Sequence, residues 1–128
     1  MKVSVIIVSY NCKAFLDYCI QSVIKALDNI DGEIIVFDNS SSDGTVEFLE
    51  SKNYNLRLIK SENNIGFSKA NNKAAKFAKG EFLFFLNPDS LLNENVIEKL
   101  LKVYNANPDV GIVAVSYTHL TLPTSDLV

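Results

Sequence analysis

The chain predicts an α/β layer fold on a mostly parallel sheet flanked by helices. Three observations carry this. Val3–Val8, Glu33–Phe37 and Glu81–Leu86 are short, almost wholly apolar runs, as strands covered on both faces are. Segments with apolar residues at helical spacing lie between them. The two patterns alternate along the chain, which is the order of βα units.

The elements follow in order. Val3–Val8 is a β-branched strand. Phe15, Leu16, Cys19, Ile20, Val23, Ile24 and Leu27 then recur with a helical period. Gly32 breaks that pattern before the second strand, Glu33–Phe37. Asp38–Thr45 is a polar loop, and Val46, Phe48 and Leu49 begin a short helix. Leu56–Ile59 is a third strand, Phe67–Ala78 a helix rich in Ala and Lys, and Glu81–Leu86 a fourth strand. Asn93–Asn105 is a helix with Val96, Ile97, Leu100, Leu101 and Tyr104 on one face. Val110–Ala114 reads as a short fifth strand.

Composition narrows the function. At 128 residues, 48% hydrophobic and 21% charged, the chain is one globular domain rather than a disordered or fibrous one. Twelve basic residues against fifteen acidic ones give a net charge of -3, which argues against nucleic acid as a partner. Cys12 and Cys19 form no zinc-type spacing and read as packing residues in a reducing, cytoplasmic setting. The first apolar run is too short to cross a membrane.

In open parallel sheets ligands bind beyond the carboxyl ends of the strands. That rule selects Ser9-Tyr10-Asn11, Asp38-Asn39, the 63–72 segment and Asn87-Pro88-Asp89. Tyr10 suits stacking on a base, or core packing. Asp38 suits a ribose or a base N–H, or a turn, while Asp43 reads as a cap for the helix that begins near Thr45. Asn87 and Asp89 offer hard oxygen donors for a cation or diphosphate, or form an ordinary Asn-Pro-Asp turn. Gly66 permits close backbone approach ahead of a helix N-terminus, where an anion is favoured. Neither a dinucleotide G-x-G-x-x-G nor a P-loop is present. Lys73, Lys76 and Lys79 read as a solvated helix face.

From Val115 the texture changes. Val115 to Thr124 is spelled by GTC TCT TAT ACA CAT CTG ACG CTG CCG ACG, which resembles a translated sequencing adapter. Residues 115–128 are therefore expected to be a non-native tail, and His119 carries no mechanism.

Four segments together resemble the family 2 inverting glycosyltransferases of the GT-A fold. They are Val5–Asn11, Ile35–Thr45, Asn64–Asn72 and Phe85–Asp89, in the family's order and spacing. The Gly-Phe and Asn-Pro-Asp forms look most like the rhamnosyltransferase-like branch, which builds bacterial surface polysaccharide. The resemblance implies a truncated, Rossmann-like nucleotide-binding half over residues 1–114. It implies a nucleotide-diphosphate sugar donor held by Ser9, Tyr10, Asp38, Asn64, Gly66, Phe67 and Asn71. It further implies a divalent cation, Mg²⁺ or Mn²⁺, at Asn87 and Asp89, where Asn87 replaces the first Asp of D-x-D. The acceptor would be a glycan or lipid-linked hydroxyl, and the full-length enzyme would work at the inner face of the bacterial membrane. The family's catalytic base lies further along its chain, so no catalytic residue is assigned and the fragment is expected to be inactive. Two other classes compete. A nucleotide-binding module without chemistry matches the same residues. A receiver-like domain would need a second acidic cluster after the first strand, where Ser9-Tyr10-Asn11 stands.

Overall fold

The computed structural model describes residues 2–113; the tail expected to be non-native lies outside them. Eight elements alternate: β1 (Val3–Ser9), α1 (Lys13–Ala26), β2 (Gly32–Asp38), α2 (Thr45–Ser51), β3 (Arg57–Lys60), α3 (Phe67–Ala75), β4 (Phe82–Leu86) and α4 (Val96–Ala106). The strands form one parallel sheet in the order β3-β2-β1-β4.

β1 is buried at all seven positions because it has a strand on each side and helices on both faces. Alternation divides its side chains between two cores. Val3, Val5 and Ile7 join Ile34 and Val36 of β2 beneath Leu16, Cys19, Ile20 and Val23 of α1, Leu49 of α2 and Ile97 of α4. Ile6 and Val8 join Ile35 and Phe37 beneath Ala70 and Ala74 of α3, whose small side chains bring that helix close to the sheet. Burying such a set of side chains contributes about 1.5–3 kcal/mol each before chain entropy is counted.

Three details depart from the sequence expectation. Val110–Val113 forms no strand: a turn at 107–109 precedes it, and Ile112 is 90% exposed. A strand needs a ladder partner, and the described residues supply none there. On α1, Ile24 points outward, so the buried stripe is narrower than the periodic set. On α4 the helix begins at Val96 and buries Ile97 fully; Tyr104 instead packs edge-on against Phe82, with centroids 4.7 Å apart. β4 is an edge strand, and Leu83 and Phe85 on its α3-side face are about half exposed. No helix among the described residues is long and apolar enough to cross a membrane.

Candidate functional site

The carboxyl ends of β1, β2 and β4, together with the loop before α3, surround an open cleft of about 630 Å³. Its lining comes from four segments: Tyr10, Asn11 and Cys12 after β1; Asn39 after β2; Asn64 and Gly66 before α3 with Phe67 at its start; and Asn87, Pro88 and Asp89 after β4. Val8 and Phe15 form its apolar part. Six of the residues expected from sequence are thus brought together: Tyr10, Asn64, Gly66, Phe67, Asn87 and Asp89. Tyr10 and Phe67 are 51% and 59% exposed, two aromatic surfaces open to a planar ligand.

Ser9, Asp38 and Asn71 are placed differently. Ser9 and Asp38 are buried register partners behind the lining. Asp38 Oδ1 accepts the Ser9 hydroxyl at 2.9 Å and the Ser41 hydroxyl at 2.6 Å, while Oδ2 accepts the Ser41 N–H at 2.9 Å. Its carboxylate is therefore turned to the protein. Asn71 sits within α3, where its amide donates to the Phe67 carbonyl at 3.2 Å. The strand-end rule selected Asn11 and Asn39 with their loops but assigned neither a role, and both line the cleft. The alternation of β2 was the available signal: Asp38 shares a face with Val36, so Asn39, on the other face, turns towards α3.

The loops are fastened to one another. Asn11 N–H donates to Ser41 Oγ at 2.9 Å, and Asn11 Oδ1 accepts the Ser42 N–H at 2.8 Å. Asp43 accepts the Lys13 N–H at 3.0 Å and the Thr45 N–H at 3.1 Å, and the Thr45 hydroxyl donates to it as well. Asp43 thus caps a turn and anchors the first residue of α1. Burial works to raise its pKa, but these donors outweigh burial and hold the carboxyl below its ordinary range. Asn11 and Ser40 adopt left-handed backbone, at φ 49° and 70°, a conformation these bonds help to keep. Gly66, at φ 87°, has no atom within 4 Å of where a Cβ would stand. Glycine is therefore needed for its torsion, not for space.

Cys12 borders the cleft, yet burial, reinforced by the carboxylates of Asp43, Asp38 and Asp89, pushes its thiol up to about 11. It is a packing thiol there rather than a nucleophile. The cation implied by resemblance is compatible with the donor types at the end of β4. Asn87 and Asp89 offer an amide oxygen and a carboxylate, both hard donors. A cation held there would need further ligands, such as water, beyond this amide and carboxylate, as is common for Mg²⁺. Among the described residues no group of three or more His, Cys, Asp or Glu gathers to hold a metal unaided.

Comparison with known proteins agrees with this architecture. The glycosyltransferase GlyG of Streptococcus pneumoniae is 31% identical over 115 residues, covering 86% of this chain and 38% of its own. The crystal structure of Staphylococcus aureus TarS 1-349 in complex with UDP-GlcNAc superposes with a TM-score of 0.74 at 28% identity, covering 84% of this chain and 32% of that one. The mannosyltransferase PcManGT of Pyrobaculum calidifontis, in complex with GDP-Man and Mn²⁺, gives 0.74 at 25% identity, covering 86% and 34%. The chain spans well under two thirds of such relatives, 38% of GlyG and 13% of the hyaluronan synthase of Pasteurella multocida. The profile of glycosyl transferase family 2 matches residues 4–124. With the parallel sheet, the cleft at its carboxyl end and this match in agreement, the chain belongs to glycosyl transferase family 2.

Proposed function

We propose that residues 1–114 form the donor-binding half of an inverting glycosyltransferase that uses a nucleotide-diphosphate sugar. The single observation that carries this reading is the convergence of Tyr10, Gly66–Phe67 and Asn87–Asp89 on one cleft. Aromatic surface, permissive backbone and hard oxygen donors are what base, phosphate and cation respectively require. The UDP-GlcNAc and GDP-Man complexes of the two similar structures support the same ligand class.

In this reading Tyr10 and Phe67 flank the nucleoside, Asn64 and Gly66 shape the backbone beside the phosphates, and Asn87 and Asp89 hold Mg²⁺ or Mn²⁺. A bound cation there neutralises charge on the departing diphosphate. Ser9 and Asp38 hold the loops from behind. The reaction is attack by an acceptor hydroxyl opposite the leaving nucleotide, inverting the anomeric carbon. The acceptor is a glycan or lipid-linked chain of a bacterial surface polysaccharide, reached at the cytoplasmic face of the membrane, and the branch is the rhamnosyltransferase-like one. Asp89 is the sole carboxylate among the described residues lining the cleft. With Asp89 committed to the cation, residues 1–114 bind donor and transfer no sugar.

Calorimetric titration with UDP, GDP and dTDP, each with and without Mn²⁺, tests this. At least one nucleotide should bind saturably, and Asp89→Ala should remove the Mn²⁺-dependent gain. Failure of all three to bind overturns the reading. Acceptor-dependent transfer from a sugar nucleotide would put a general base inside this chain.

A further inference from the structure

Successive side chains of a strand leave opposite faces of the sheet. At the end of β2 this sends two neighbouring residues to two different loops. Asp38 turns to the α1 side and binds Ser9 and Ser41, and Ser41 in turn accepts the N–H of Asn11. Asn39 turns to the α3 side. Its Oδ1 accepts the Ile65 N–H at 2.8 Å and its Nδ2 donates to the Gly66 carbonyl at 3.3 Å. Asn39 is itself fixed: it is 3% exposed, and its own N–H donates to the Ser9 carbonyl at 2.8 Å.

We propose that Asn39 is a positioning residue for the cleft, whose carboxamide pins Ile65–Gly66 and thereby sets the direction of Phe67 and the start of α3. The role calls for an amide. One group must accept from Ile65 and donate to Gly66 at once, which an ionised carboxylate cannot do. Phe67 has little packing to place it, since 59% of its surface is exposed, and Gly66 is torsionally permissive. The two peptides on either side of Ile65-Gly66, Asn64–Ile65 through its N–H and Gly66–Phe67 through its carbonyl, are therefore the points from which the ring is aimed. The functional part of this inference rests on the nucleotide-donor reading above.

The test compares wild type, Asn39→Asp and Asn39→Ala in the full chain. Three readouts are used: amide hydrogen exchange without ligand, affinity for UDP, GDP and dTDP, and the urea unfolding midpoint. Exchange at Ile65 should accelerate about ten-fold in Asn39→Ala and less in Asn39→Asp, which keeps the acceptor. Affinity for the nucleotide that wild type binds should fall about ten-fold in both variants. Weaker nucleotide binding with unchanged exchange at Ile65 would make Asn39 a direct ligand contact and overturn the proposal. Equal acceleration of amides throughout β1 and β2, with a lowered urea midpoint, would mean general destabilisation and overturn it too. If wild type binds none of UDP, GDP and dTDP, the donor reading fails, while exchange at Ile65 still decides whether Asn39 holds the loop.

Discussion

The Ser9 hydroxyl donates to Asp38 Oδ1 at 2.9 Å, joining register partners at the carboxyl ends of the two central strands. Asp38 is 2% exposed and receives two further bonds from Ser41. Asp38→Ala strands those donors in a buried setting and should cost about 1–3 kcal/mol of unfolding free energy in urea. Asp38→Asn keeps acceptor capacity and should cost less. Equal stability of Asp38→Ala and wild type would show that the network contributes nothing.

Asp43 makes stability depend on acid pH. Its folded pKa lies below the unfolded value, so its contribution is complete above the unfolded pKa and is lost as pH falls through the folded one. Asp43→Ala should be about 1 kcal/mol less stable at pH 7, through its lost bonds to Lys13 and Thr45. That deficit should narrow below about pH 4. Chemical denaturation across pH 2.5–7, chosen only as roughly spanning the titration, reads the difference.

Gly80 and Gly111 should respond differently to alanine. A Cβ on Gly80 would stand 2.6 Å from Ser4 N and 2.7 Å from Val3 C, both backbone of the buried β1. Gly80→Ala should therefore destabilise by about 1–3 kcal/mol. Gly111 has nothing within 4 Å, and Gly111→Ala should change stability by less than about 0.5 kcal/mol. Thermal melts of the two variants side by side are sufficient.

Cys12 should label slowly. With its thiol pushed up to about 11, roughly one molecule in 10⁴ is thiolate at pH 7. Alkylation by iodoacetamide, followed by mass spectrometry, should be far slower than for a free thiol and should rise steeply above about pH 10. Fast labelling of Cys12 at pH 7 would contradict the half-buried setting near Asp38, Asp43 and Asp89.

The alternating order of elements was legible because each buried strand is a continuous apolar run and each helix carries its own stripe. The cleft was legible at the level of loops, since the ends of parallel strands select them. Its finer assignment was not. Asp38 and Asn39 are adjacent and both polar, and composition does not say which faces the ligand; the parity of β2 does. The fifth strand misled for a different reason. Val110, Ile112 and Val113 have strand chemistry, but a strand is a relation to a neighbour, and the described residues offer it none.

β1 precedes the other described strands in the chain and yet lies inside the sheet, with Val3 opposite both Gly32 and Phe82. On a translating ribosome its pairing with β2 becomes available early. Its other edge must wait until β4 has left the exit tunnel. During that interval the most completely buried strand of the finished fold presents an open row of N–H and C=O groups. Such non-local closure is slow compared with local pairing. A nascent chain paused before Phe82 would thus be most exposed to aggregation or chaperone capture, and the codons between α3 and β4 are where translation speed bears most on yield.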